Sequence, residues 1–293
     1  MKIDYVYLAA FYLLRFLVFV LPNFALNALA NGVARIVFKL NHKHRKIIDT
    51  NLKFCFPELN QVQRAELALK IYINFAHFGI DFFRNQNISP KDLEKKVSFE
   101  NEEEFLKFVK SDRAIVFVTA HFGNWELLPL AFANKYKAIS IVGRRLDSEL
   151  MDKFLVKNRT QLDVELIDKK GGLRKMLLAL RNKRALGVLT DQDASDNESM
   201  VLEFFGKKVN WLVGASVIAK KSEALLIPAF IYKASNDSYI IKAFKAMDAK
   251  EHSSEELTRY QAKCCEEMIK LKPDEYFFFH KRFKRFYNTA YES

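Results

Sequence analysis

Little in this 293-residue sequence breaks or staples the chain. Six prolines and nine glycines exclude collagen-like and Gly/Pro-rich chains. Three cysteines, Cys55, Cys264 and Cys265, are too few and too oddly numbered for a disulfide framework, which points to a reducing compartment. Phosphate-loop and dinucleotide fingerprints are missing. Metal-ligand spacing is missing too: His42 and His44 lie in a basic cluster, and Cys264-Cys265 has no second pair. No Ser or Cys stands in a nucleophile-elbow context, so a covalent acyl-enzyme is not suggested. With no helix-turn-helix or RNA-recognition signature, the expectation is a chain without a nucleic-acid partner, a metal or an organic cofactor.

Apolar surface and positive charge are plentiful. Hydrophobic residues make up 50% and charged residues 28%, which excludes a disordered chain and fits one large domain or two modest ones. The formal charge is +12, which attracts nucleic acid, anionic lipid or an acidic protein. Phe is 27 against Tyr 11 and Trp 2. Bulk apolar surface without a polar handle, beside excess positive charge, suits contact with lipid and its anionic head groups. The competing expectation is a Phe-rich soluble core with a basic face.

From Tyr5 to Leu21 the chain carries one charge, Arg15. As a helix the run reaches about 26 Å, short of a hydrocarbon core of about 30 Å, and it ends at Pro22-Asn23 without a cleavage site. Asn23, Asn27, Asn31, Arg35 and Lys39 then recur every four residues, making a narrow polar stripe beside a wide apolar face. Residues 1–40 are therefore expected to be a membrane anchor and interfacial helix. The basic cluster at 41–46 places the rest of the chain on the cytoplasmic side. Burial of both segments in a soluble protein is the alternative.

Residues 41–90 read as a helical segment and 91–293 as the enzymatic domain. Helices are expected over 60–84, 100–110, from 125, over 148–160, 172–182, 213–222 and 255–271. Strands are expected at 114–119, 138–142, 164–167, 185–190, 224–232 and 239–244, with a loop between 190 and 213. Apolar strands alternating with helices predict an α/β domain, layered αβα around a largely parallel sheet. Ligands bind such sheets beyond the carboxyl ends of the strands.

The sharpest signal is Thr119-Ala-His-Phe-Gly-Asn-Trp-Glu126, which follows an apolar strand and opens a helix. Asn124 would cap the helix, and Glu126 would fold back toward His121. A carboxylate on one imidazole nitrogen fixes the tautomer, and the other nitrogen then takes a proton from an acceptor hydroxyl. Gly123 would let the backbone pass close to a substrate. A turn and cap without chemistry would use the same residues. His77-Phe-Gly-Ile-Asp81 repeats the letters, but its helical setting reads as a local ion pair. Arg144, Arg145 and Arg159 follow the second strand, and Lys169 to Gly172 precede a helix start that favours an anion. Asp191 and Asp193 follow another strand, expected to contact a substrate, Arg144 or Arg159 rather than a metal.

Along nearly its whole length the chain resembles the bacterial lipid A biosynthesis lauroyl/myristoyl, or late, acyltransferases. The matching segments are the apolar amino terminus, HFGNWE at 121–126, GRRLDSELMDKFLVKNR at 143–159, KGGLRKMLLAL at 170–180, LTDQD at 189–193, EFFGKKVNWLVGAS at 203–216 and PDEYFFFHKRFKR at 273–285. Phe278 stands where many members have Trp. The resemblance implies an inner-membrane enzyme facing the cytoplasm. It would move a fatty acyl chain from acyl carrier protein, its co-substrate, to a hydroxyl on the acyl chains of a Kdo-bearing lipid A precursor. His121 would be general base with Glu126 its partner, and Asn124, Arg144, Arg159 and Asp191 would serve the substrate. The basic run Lys281 to Arg285 is a candidate for head-group or carrier contact, since acyl carrier protein is acidic. A glycerophospholipid acyltransferase with the same dyad is the second reading, and a basic lipid- or nucleic-acid-binding protein without activity the third.

Overall fold

The computed structural model describes residues 2–234 and 238–292. Four helices come first: α1 (Lys2–Val20), α2 (Asn23–Leu40), α3 (His42–Cys55) and α4 (Gln61–Arg84). Helix α3 absorbs the basic cluster, with Asn41 accepting from the His44 amide as its cap. Asn60 and Gln63 form a capping box on α4. Next come α5 (Pro90–Lys96), β1 (Val97–Glu100), α6 (Glu102–Lys110), β2 (Ile115–Thr119), α7 (Leu127–Lys135), β3 (Ile139–Gly143), α8 (Glu149–Arg159), β4 (Val164–Asp168), α9 (Leu173–Arg181) and β5 (Ala185–Leu189). A hairpin comes after β5, with strands β6 (Ser199–Phe204) and β7 (Lys207–Leu212), where the sequence suggested only a loop. The remaining elements are α10 (Gly214–Lys221), β8 (Leu225–Lys233), β9 (Tyr239–Ala243), β10 (Met247–Asp248), α11 (Ser254–Leu271) and α12 (Lys284–Tyr287).

The main sheet has the order β1-β9-β8-β2-β5-β3-β4, with β10 on β8. Its central strands β8, β2, β5, β3 and β4 run parallel, and β9 turns back antiparallel on β8. Side chains alternate across each strand. Phe117 of β2 packs with Phe105, Leu127 and Phe132 beneath α6 and α7, whereas Val116 and Val118 pack with Leu180, Ile218 and Leu257 beneath α9, α10 and α11. The sheet is thus covered on both faces. A third cluster joins α3 and α4 to the β6–β7 hairpin, α11 and the segment after Pro273.

Helix α2 buries only a narrow line of its apolar residues. Its small residues Ala30 and Ala34 and Leu26 are buried. Part of its polar stripe meets α4, Asn31 Oδ1 lying 3.0 Å from His77 Nε2 and Arg84 donating to Asn23 Oδ1 at 2.6 Å, while Arg35 and Lys39 are exposed. The wide apolar side, with Phe24, Val33, Ile36 and Leu40, faces outward, as do Leu13, Phe16 and Phe19 of α1. Helix α1 is held by Phe11, which stacks on Phe154 of α8 at 4.2 Å. Among the described residues no helix is long and apolar enough to cross a membrane.

Residues 273–291 return across the helices, and one buried side chain of α3 bonds them at three points. Asn51 of α3, fully buried, donates to the carbonyls of Phe278 at 2.9 Å and His280 at 2.8 Å and accepts from Tyr291 at 2.5 Å. Replacing Asn51 with Ala strands these buried carbonyls and should cost roughly 2–4 kcal/mol. Denaturant unfolding of the detergent-purified variant will show it; an unchanged midpoint would mean the segment is anchored elsewhere.

Candidate active site

Strands β2 and β5 are parallel neighbours in register, with Thr119 opposite Leu189. Two residues beyond that pair the chains diverge from the sheet, so residues 121 and 191 emerge side by side. Asp191 is fully buried; its Oδ1 lies 2.9 Å from His121 Nδ1, and its Oδ2 accepts from the His121 backbone N–H at 3.1 Å. The carboxylate on the imidazole is therefore Asp191, not Glu126. Nδ1 is committed to Asp191, and His121 also lines a cavity.

Glu126 precedes α7 and faces Arg159 at the end of α8. The guanidinium donates twice, Nε to Oε2 at 2.8 Å and Nη2 to Oε1 at 2.5 Å, and Trp125 Nε1 adds a third donor at 3.1 Å. Such a bidentate pair is geometrically exacting, and both members are largely buried. Asn124 does not cap the helix with its side chain. It is buried, and its amide points to Asp81 at 3.5 Å, where Asp81 also accepts from Lys96 at 3.0 Å and from Tyr239. Asp81 is thus built into the support of the His121 loop, while His77, which helical spacing paired with it, reaches across to Asn31 of α2. Arg144 is exposed and pairs with Asp147 at 3.0 Å. Asp191 reaches neither Arg144 nor Arg159. Asp193 turns away toward Lys284, at 3.5 Å.

The loop bearing His121 is fixed by residues whose roles are not evident from the sequence. Gly123 N–H donates to Glu275 O, Phe277 N–H donates to His121 O, both at 2.9 Å, and Phe122 bridges Tyr276. Gly123 has φ +56°, and a Cβ there would sit 1.9 Å from the Ile231 carbonyl oxygen. The close approach at Gly123 is to the protein's own strand β8, not to a substrate. Behind Asp191, Tyr276, Phe278 and Arg282 are fully buried. Arg282 donates to Asn210 O at 2.9 Å and covers Trp211 at 4.7 Å. Lys284 and Arg285 engage Asp193 and Asp196. The basic run 281–285 is therefore in large part an internal clamp on the loop after β5. The terminal motif PDEYFFFHKRFKR is visible in the sequence, but only pairing across the chain reveals that work.

A cavity of about 400 Å³ opens beside His121. Val142, Leu155, Met176, Val188, Leu212 and Ile218 give it aliphatic walls, and Arg144, Arg159 and Lys169 stand on its border. Among the described residues no group of three or more His, Cys, Asp and Glu is placed to hold a metal ion.

Burial opposes protonation of His121, but the charge and hydrogen bond of Asp191 outweigh it and raise its pKa above the ordinary imidazole value. Burial likewise pushes the Asp191 carboxyl up, and the adjacent His121 more than offsets this, holding it below the usual range. His280, half-buried near the pair, is pushed down to about 4 by loss of solvent despite the charge of Asp191, so it is neutral near pH 7.

The profile of the bacterial lipid A biosynthesis acyltransferases matches residues 2–285, and the chain belongs to that family. It is 23% identical over 275 residues to the lipid A biosynthesis lauroyltransferase of Escherichia coli, covering 92% of this chain and 88% of the relative. A lipid A biosynthesis acyltransferase of Haemophilus influenzae is 24% identical over 237 residues, covering 80% and 74%. A lipid A biosynthesis palmitoleoyltransferase of E. coli is 22% identical over 247 residues, covering 83% and 79%. Among solved structures, the 1-acyl-sn-glycerophosphate acyltransferase PlsC of Thermotoga maritima aligns with a TM-score of 0.41 at 15% identity, covering 87% of this chain and 98% of that one. The protein is an acyltransferase of lipid A biosynthesis.

The raised pKa fixes a sign. The His121–Asp191 pair contributes its full stability below the unfolded imidazole pKa and loses it as pH rises through the folded value. A base needs the neutral ring, so the rate should climb with pH through a midpoint above about 6.5. Asp191→Asn removes the charge that raises the pKa: a pH–rate profile should show the rising limb displaced to lower pH and the plateau reduced about 10²-fold or more. A limb that stays in place would break the link between the two residues. Gly123→Ala should give protein with little activity, because the new Cβ meets the Ile231 carbonyl; wild-type turnover would contradict the rigidity of this loop.

Proposed function

We propose that the protein transfers a fatty acyl chain from acyl carrier protein to a hydroxyl on the acyl chains of a Kdo-bearing lipid A precursor, at the cytoplasmic side of the inner membrane. The observation that carries this reading is His121, its Nδ1 bound to a buried carboxylate, at the side of a large aliphatic cavity with cationic residues on its border. Asp191 holds the ring with Nδ1 protonated, so Nε2 is the base. It takes the acceptor hydroxyl proton as the oxygen attacks the thioester carbonyl carbon. The tetrahedral intermediate collapses, the carbon–sulfur bond breaks, and the imidazolium returns the proton to the leaving thiolate. Glu126 acts one step away, keeping Arg159 charged and aimed at the cavity; that guanidinium then stabilises developing negative charge. No covalent acyl-enzyme is required.

The outward apolar faces of α1 and α2 support membrane attachment. Phe16 and Phe19 of α1 and Phe24, Ile36 and Leu40 of α2 are large apolar side chains left exposed, more than the single surface residues that need no explanation. With Leu26, Ala30 and Ala34 packed inward and Asn31 bonded to α4, the remaining apolar side of α2 is left for lipid, as suits a helix lying in the interface. The excess of positive charge favours both anionic lipid and an acidic carrier protein.

Purified protein in detergent, given acyl-charged acyl carrier protein, should acylate a tetra-acylated Kdo-bearing precursor. His121→Ala should lower kcat by about 10²–10⁴-fold while the far-ultraviolet circular dichroism is preserved. Transfer to a lysophospholipid instead, or full activity without His121, would overturn the proposal.

A further inference from the structure

The imidazole of His121 has a second apolar neighbourhood, distinct from the aliphatic cavity. Trp125 and Phe277 flank the ring on the α4 side, with centroids 5.3 and 6.0 Å away. Phe78 stacks on Trp125 at 4.3 Å. Phe75 reaches Phe277 at 5.1 Å, and Phe279 lies 5.1 and 5.0 Å from Phe75 and Phe277. The chain of rings continues through Tyr72 to Phe38 on α2, at 4.9 and 5.4 Å. A track of rings thus runs from the catalytic imidazole to the helix whose apolar side faces outward.

Tyr72 is buried, but the rings nearer His121 are at least partly open to solvent. Phe75 is 40% exposed. Phe277 and Phe279 are half-buried, while the alternating Tyr276 and Phe278 point inward and are buried. A hollow of about 40 Å³ lies among them. The exposed ring faces offer a ligand no hydrogen bond and suit hydrocarbon, while Asn74, His77, Asp274 and Glu275 also line the hollow and can meet the polar part of the same ligand.

The proposed reaction brings two acyl chains to one nitrogen. The donor chain ends at its thioester and suits the aliphatic cavity beside His121. The acceptor hydroxyl sits on a chain hanging from a saccharide among several others, and such a chain cannot be threaded into a cavity. It can lie along an open shelf that leads in from a lipid-facing helix. We infer that the shelf formed by Phe75, Phe78, Trp125, Phe277 and Phe279 binds the hydroxylated acyl chain of the acceptor, while the aliphatic cavity binds the donor chain. This assignment rests on the proposed reaction.

The two tryptophans make it testable. Trp211 is fully buried, whereas Trp125 lies on the shelf. A disaccharide lipid with bromine on its hydroxyacyl chains should quench the protein's fluorescence at least twofold more than an acyl-pantetheine brominated at the chain end, and Trp125→Phe should remove the difference. Phe75→Ser should raise the KM for the acceptor about tenfold and leave the KM for the donor thioester as it was. Equal quenching by donor and acceptor, or by brominated phospholipid vesicles lacking hydroxyacyl chains, would overturn the assignment. Turnover of the lipid A precursor without quenching would also overturn it and spare the reaction. Quenching by the acceptor without turnover would uphold the shelf and remove the reaction.

Discussion

Everything at the centre of this molecule depends on a buried carboxylate finding its counter-charge. Asp191 sits inside the protein, where an isolated anion is costly. It is tolerated because both oxygens are occupied by one residue, the ring and the backbone N–H of His121. The same contact that solves the solvation problem of Asp191 fixes the tautomer and tilt of the imidazole. Strand register delivers the two residues to the same place, and Gly123, Glu275 and Phe277 keep the loop from relaxing away.

A second charge pair stands beside the first and is balanced separately. Glu126 and Arg159 neutralise one another through two hydrogen bonds, leaving His121 with Asp191 as its direct partner. Separation of this kind matters for a base: a second carboxylate on the ring would favour the imidazolium and make the proton harder to release. Breaking either pair leaves a buried charge behind, which is why substitutions here are expected to disturb structure as well as chemistry.

The strands and helices after residue 100 are legible because apolar runs such as AIVFVT and ALLIPAFIY are bounded by clear helical periodicity. The importance of the 121–126 segment is legible from its place after a strand. The partner of His121 is not. Glu126 is close in sequence and Asp191 is 70 residues away, and only the order β2 next to β5 decides between them. Local spacing also misleads at Asn124, whose side chain serves Asp81 rather than the helix end, and at Gly123, whose freedom is needed by β8. The β6–β7 hairpin is hard to see because its residues alternate weakly, with charged Glu203, Lys207 and Lys208 among apolar ones. The polar stripe of α2 is visible in the sequence, although nothing local says that Leu26, Ala30 and Ala34 turn inward while Phe24 and Ile36 stay exposed.

The backbone of Glu275 and Phe277 completes the loop around His121, and it comes after every strand of the sheet in the chain. A chain cut before Pro273 would therefore keep every strand of the sheet, with His121, Asp191, Glu126 and Arg159 all present, yet lose the backbone partners of Gly123 and His121. The completeness of the residue set and the rigidity of the loop that carries it are thus encoded in different parts of the chain.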